Sequence, residues 1–138
     1  MTTTVDSICG YLQLLEDFMG DKSKKNNLLF VDIIQDPDIL DKVQSKHYNL
    51  HKNMISLGTR VKSHINDTNP DKEKLVFSSD ELNALVAVHN MKKRSRNEEK
   101  EVLISFEAGQ AAVDAIDDLI SDEVELLRAC MAWIRSVS

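Results

Sequence analysis

Val88 to Glu101 reads VHNMKKRSRNEEKE. One histidine, His89, precedes four cations, Lys92, Lys93, Arg94 and Arg96. Glu98, Glu99 and Glu101 follow them. An imidazole can act as a nucleophile or move a proton near neutral pH. Clustered cations can neutralise phosphates. The same residues on a helix can also form a mixed, partly self-neutralised surface.

His89-Asn90-Met91-Lys92 resembles the start of the motif in histidine-phosphotransfer domains, the four-helix bundles of phosphorelays. The resemblance implies an exposed phospho-acceptor at His89, with Met91 as the apolar residue two places on and Lys92 at the third. Lys93 and Arg94 depart from the pattern, which wants small residues there so that a response regulator can dock. Arg96, Asn97 and Glu98 stand where apolar residues are expected one turn later. The match covers only these few residues. His89 also continues a line with Leu82, Leu85 and Val86, which would turn it toward a neighbouring helix.

Lys92, Lys93, Arg94 and Arg96 also fit a minimal nuclear-localisation pattern and could touch a few phosphates. The glutamates behind them temper that charge, and no aromatic residue is interleaved for base stacking. The plainer reading is a solvated helix face or a junction.

His47 and His51 are four residues apart, which puts both on one side of a helix. Zinc or nickel would need further ligands from elsewhere. His64 is too far along to complete a site, so no metal or cofactor is expected. Asp114, Asp117, Asp118 and Asp122 follow each other at helical spacing. Carboxylate pairs can serve acid–base chemistry, but no histidine accompanies these in a di-metal pattern. They read as a solvated face, and in functional terms Asp114, Asp118 and Asp122 would be an acidic docking surface. The chain has no nucleophile elbow, P-loop or dinucleotide-binding glycine pattern.

The elements that would position these groups are helical. At 138 residues the chain has the size of one domain, 1–138. A hydrophobic share of 42% and a charged share of 29% suit a soluble globular protein that folds without metal or disulfide. A net charge of −6 argues against a surface built for nucleic acid and repels anionic membranes. No apolar run approaches the ~20 residues that span a bilayer. The N-terminus lacks a signal-peptide pattern, so a cytoplasmic or host-intracellular location is expected. Cys9 and Cys130 each sit in an apolar helical pattern, as buried free thiols would. A disulfide joining the ends is the alternative, disfavoured without a secretion signal.

A first helix should begin after Thr2, Thr3 and Thr4 and carry Ile8, Leu12, Leu15 and Met19 to a stop at Gly20. Asp21 to Asn27 reads as a loop. Leu28 to Ile34 is a short helix capped by Asn27 or a strand, with helix favoured because a lone strand has no partner. Asp36 and Pro37 mark a strong restart. From Leu40 a heptad seam runs through Val43, His47, Leu50, Met54, Leu57, Val61 and His64. Ser78 and Glu81 have capping-box spacing, with Phe77 and Leu82 at staple positions. The apolar stripe lapses from Lys92 to Glu101, so Arg94 to Asn97 is either a joint or the middle of one helix. It resumes at Val102 and runs to Ile134, with Gly109 as the one helix-breaking residue.

The expected fold is all-α: a bundle of four to five helices, two or three of them long and largely antiparallel. The expected function is non-enzymatic protein–protein contact, as an adaptor, chaperone-like, inhibitor or immunity-type protein. Leu50, Met54, Leu57, Met131, Trp133 and Ile134 are candidate partner contacts, with Trp133 either an interface anchor or the residue that closes the end of the bundle, and homodimerisation through a seam is a secondary expectation. Phosphotransfer through His89 is the alternative. Nucleic-acid association through Lys92 to Arg96 stands third.

Overall fold

The computed structural model describes residues 5–138, and the side chains of all of these except 23–32. Among them the chain forms four α-helices and no strand: α1 (Val5–Ile33), α2 (Pro37–Asn66), α3 (Ser79–Ser105) and α4 (Gln110–Val137). Each has 27 to 30 residues, a length of about 40–45 Å.

α1 is longer than its sequence signals. Thr2, Thr3 and Thr4 lie outside the described residues. Gly20 does not stop the helix, and the polar stretch 21–27 continues it through Leu28 to Ile33. Gly20 costs about 1 kcal/mol against alanine in a helix interior. Packing along α2 overrides a preference of that size. One further glycine is explained by close approach. A Cβ on Gly58 of α2 would come within 2.9 Å of the Glu16 carboxyl carbon on α1. Glycine there lets Glu16 reach Lys62, its ion-pair partner.

α2 begins where the sequence says it should. The Asp36 carboxylate accepts hydrogen bonds from the backbone N–H of Asp38 (2.9 Å) and Ile39 (3.5 Å), and Pro37 fills the first helical position. α3 opens with the full capping box. The Ser78 hydroxyl accepts from Glu81 N–H at 3.2 Å, and Ser78 N–H donates to the Glu81 carboxylate at 3.1 Å. The connection between α2 and α3 is tied down as it crosses. Leu75 N–H donates to Val137 C=O at 2.9 Å. Arg60 donates to Val76 C=O at 2.6 Å and stacks over Phe77 at 4.7 Å.

Arg94 to Asn97 is the middle of α3, not a joint. The run from Lys92 to Glu101 contains neither glycine nor proline, and its lysines, arginine and glutamates are good helix formers. The chain turns later, after Ser105. Ala108 N–H donates to Leu103 C=O (2.9 Å) and Glu107 N–H donates to Ile104 C=O (3.0 Å). These are the paired bonds of a Schellman stop. Glu107 takes the left-handed position with φ 56°. Gly109 then caps α4.

One buried cluster joins all four helices: Ile8, Leu12, Leu15 and Met19; Met54, Leu57 and Val61; Leu85 and Val88; Cys130 and Ile134. Phe77 and Leu82, the staple pair, pack against its edge. Met54, Leu57 and Val61 bury the C-terminal half of the α2 seam. Val43, His47 and Leu50 in its N-terminal half stay half-exposed.

Candidate functional site

The opening motif lands in two places. His89 faces inward and is only 5% exposed. The Tyr11 hydroxyl of α1 is hydrogen-bonded to its Nδ1. Burial holds the Tyr11 phenol protonated far above its ordinary range, with the nearby Glu123 and Cys130 acting in the same direction. The protonated Tyr11 hydroxyl and Nδ1 of His89 thus share one hydrogen bond inside the core. Burial also lowers the His89 pKa; Glu123 opposes that shift and Lys93 adds to it. A phospho-acceptor needs an exposed nitrogen, and this ring spends Nδ1 on a core hydrogen bond.

The basic run is divided. Arg96 pairs with Glu123 of α4, both side chains mostly buried. Lys92 lies over the Phe18 ring of α1 at 5.0 Å. Lys93 and Arg94 point to solvent. Lys100 reaches Asp117 at 2.8 Å. Neutralisation thus runs across to α4. This is the physical reason the apolar stripe lapses: the α3–α4 contact is ionic there.

The other candidates separate by depth. Met54 and Leu57 are fully buried and Ile134 is 5% exposed, so they pack the protein's own core and offer no contact surface. Trp133 is half-buried and meets the His64 ring edge-on, centroids 5.6 Å apart, closing the bundle between α4 and α2. Met131 is half-buried beside the same core. Asp114, Asp118 and Asp122 are exposed, and Asp114 is bound by its neighbour Gln110 at 2.9 Å. Cys9 and Cys130 are free thiols. Burial pushes Cys130 up to about 12, which leaves it unreactive. Among the described residues no three metal-ligating side chains converge, and no helix is long and apolar enough to cross a membrane.

Of the sequence candidates, Leu50 and Arg94 meet in an unfilled place. They line a groove of about 590 Å³ between α2 and α3. Its floor is Val43, His47 and Leu50 on α2, and Ala84, Ala87 and Met91 on α3. Lys46 and Arg94 stand on the rim at one end; Asn53, Asn83 and Asp80 stand at the other. A second hollow of about 690 Å³, under the α2–α3 connection, is lined mostly by polar groups that bond the chain itself. There Lys72 caps α2 by donating to His64 C=O (2.9 Å) and Asp67 C=O (3.2 Å).

The groove does not lie on the α3 face marked by Leu82, Leu85 and His89. A second stripe was present: Ala84, Ala87 and Met91 recur at spacings of three and four beside Leu85 and Val88. Glu123 was also legible, since it shares the spacing of Ile116, Ile120 and Leu127. A carboxylate on an apolar stripe needs a buried cation.

The chain matches no protein-family model, no curated protein and no solved structure.

Proposed function

We propose that this protein is a non-enzymatic interaction module that receives an amphipathic helix of a partner protein in the α2–α3 groove. The observation that carries the reading is the groove itself. Four apolar side chains that keep some exposure, Val43 and Leu50 of α2 with Ala87 and Met91 of α3, line a concave strip that no described side chain fills. The small side chain of Ala87 allows a third helix to approach closely, over the buried Ala84 beside it. Helix-in-groove binding uses such a strip, with anchors at i, i+3, i+4 and i+7.

The neighbouring helices are read as antiparallel, which makes the groove straight-walled. Glu16 pairs with Lys62 while Gly20 lies beside His51. Arg60 meets Glu81, and Arg96 with Glu123 precedes Lys100 with Asp117. The two free thiols suit a cytoplasmic or host-intracellular setting. Homodimerisation through the α2 seam has less support, because Met54, Leu57 and Val61 are already covered.

The test is affinity capture from the native source with two baits, the wild type and Ala87→Arg, whose side chain would occupy the groove. A protein held by the first bait and lost from the second supports the reading. Equal capture by both, with both baits equally helical by circular dichroism, would overturn it.

A further inference from the structure

The rim of the groove is electrically polarised along its length, and this selects a partner and its direction. Lys46 and Arg94 flank the end near Val43 and Met91, and neither is paired with an acid among the described residues. The other end carries Asp80, in the first turn of α3, together with the neutral amides of Asn53 and Asn83. Resting on the groove reading above, we infer that the groove takes a helix about three turns long, with an apolar stripe and acidic residues in its last turn. Its C-terminus lies between Lys46 and Arg94, so it runs parallel to α3 and against α2.

Three physical points carry this. Val43 to Asn53 spans ten steps of α2, about 15 Å of helix, which fixes the length of the occupant. A helix C-terminus carries partial negative charge and its N-terminus partial positive charge. The two rim cations therefore attract the one and Asp80 the other. Acidic side chains in the last turn add to the same preference at Lys46 and Arg94. A reversed helix would set its positive pole against two cations.

The experiment uses three fluorescein-labelled peptides of the same composition class, each with one leucine stripe at helical spacing. The first has three glutamates in its last turn, the second has them in its first turn, and the third has lysines in its last turn. Binding to the full chain is read by fluorescence anisotropy. The first peptide should bind about tenfold more tightly than the second, as two modest rim interactions acting together would give. The third should bind most weakly. In the K46E/R94E variant the lysine peptide should become the tightest.

Equal affinity of the first two peptides, or an unchanged ranking in K46E/R94E, overturns the inference. If those peptides still lose binding in Ala87→Arg, the groove reading survives and only its polarity fails. If no peptide binds, or Ala87→Arg and the milder Leu50→Gln both leave binding unchanged, the groove reading falls with it. A concentration-dependent dimer by light scattering that Ala87→Arg converts to monomer would assign the groove to a second copy and overturn the inference.

Discussion

The Tyr11 hydroxyl on α1 is hydrogen-bonded to Nδ1 of His89 on α3, inside the bundle and across 78 residues of sequence. The rings meet edge-on, centroids 6.1 Å apart. This bond turns the one histidine with a functional motif into a core residue. Removing the hydroxyl leaves a buried imidazole nitrogen without a partner. Tyr11→Phe should therefore lower the unfolding free energy by about 1–3 kcal/mol. Urea denaturation followed by circular dichroism checks it; an unchanged midpoint would show that the bond contributes nothing.

The same ring makes stability depend on pH. Burial lowers the His89 pKa below its usual 6.5, despite Glu123 nearby, and Lys93 helps to lower it. The unfolded chain then binds the proton more readily than the folded one. Stability is complete above about 6.5 and is lost as pH falls from there through the folded pKa. His47 is lowered too, by burial with help from His51 and Lys22, and contributes in the same direction. Unfolding free energies at pH 7.5 and 5.5 should differ in the wild type, and His89→Gln should reduce that difference. An equal difference in the variant would assign the effect elsewhere.

Arg96 and Glu123 form a mostly buried ion pair, and the second carboxylate oxygen of Glu123 has no hydrogen-bond partner among the described residues. Breaking one side strands a charge. Arg96→Ala should cost about 3–5 kcal/mol. The double variant Arg96→Leu, Glu123→Leu should recover most of that loss, since apolar replacement of a buried pair is often neutral or stabilising. A double-mutant cycle by urea denaturation measures both. Additive losses would mean the two charges do not depend on each other.

Glu81 holds the start of α3 to α2. Burial by itself raises the Glu81 pKa, but hydrogen bonds from Ser78 N–H, Arg60, Ser56 and the Ser78 hydroxyl together carry it below the ordinary 4.5. Its folded pKa is depressed, so the stabilisation is present above about 4.5 and is lost as pH falls through the folded value. Glu81→Gln should lower stability at pH 7 by about 1–3 kcal/mol and flatten the acid limb of the stability profile. Retention of that limb in the variant would count against Glu81 as its source.

Glu107 sits at φ 56° in the stop of α3. A left-handed residue with a Cβ is strained there, and glycine is not. Glu107→Gly should raise the unfolding free energy by about 0.5–1 kcal/mol, read as a higher urea midpoint. A lower midpoint would mean that the carboxylate contributes more than its backbone costs.

Elements with a local physical cause were legible in the sequence. Asp36-Pro37 and Ser78-Glu81 start their helices because a side chain reaches a nearby backbone N–H, and such bonds need no tertiary partner. The helical period marked which faces must be dry, as at Leu12 and Leu15, but it did not tell Met54, Leu57 and Ile134, which the chain itself covers, from contacts for a partner. The tertiary structure decided what local pattern leaves open. It carried α1 through Gly20, because packing outweighs a local cost of about 1 kcal/mol. It carried α3 unbroken through Arg94 to Asn97, where Glu123 and Asp117 of α4 receive Arg96 and Lys100. It put His89 inside, where Tyr11 awaits it, and left Leu50 and Met91 beside an open groove. Whether a side chain is buried, paired or free depends on residues brought from elsewhere in the chain, and helical spacing alone does not record them.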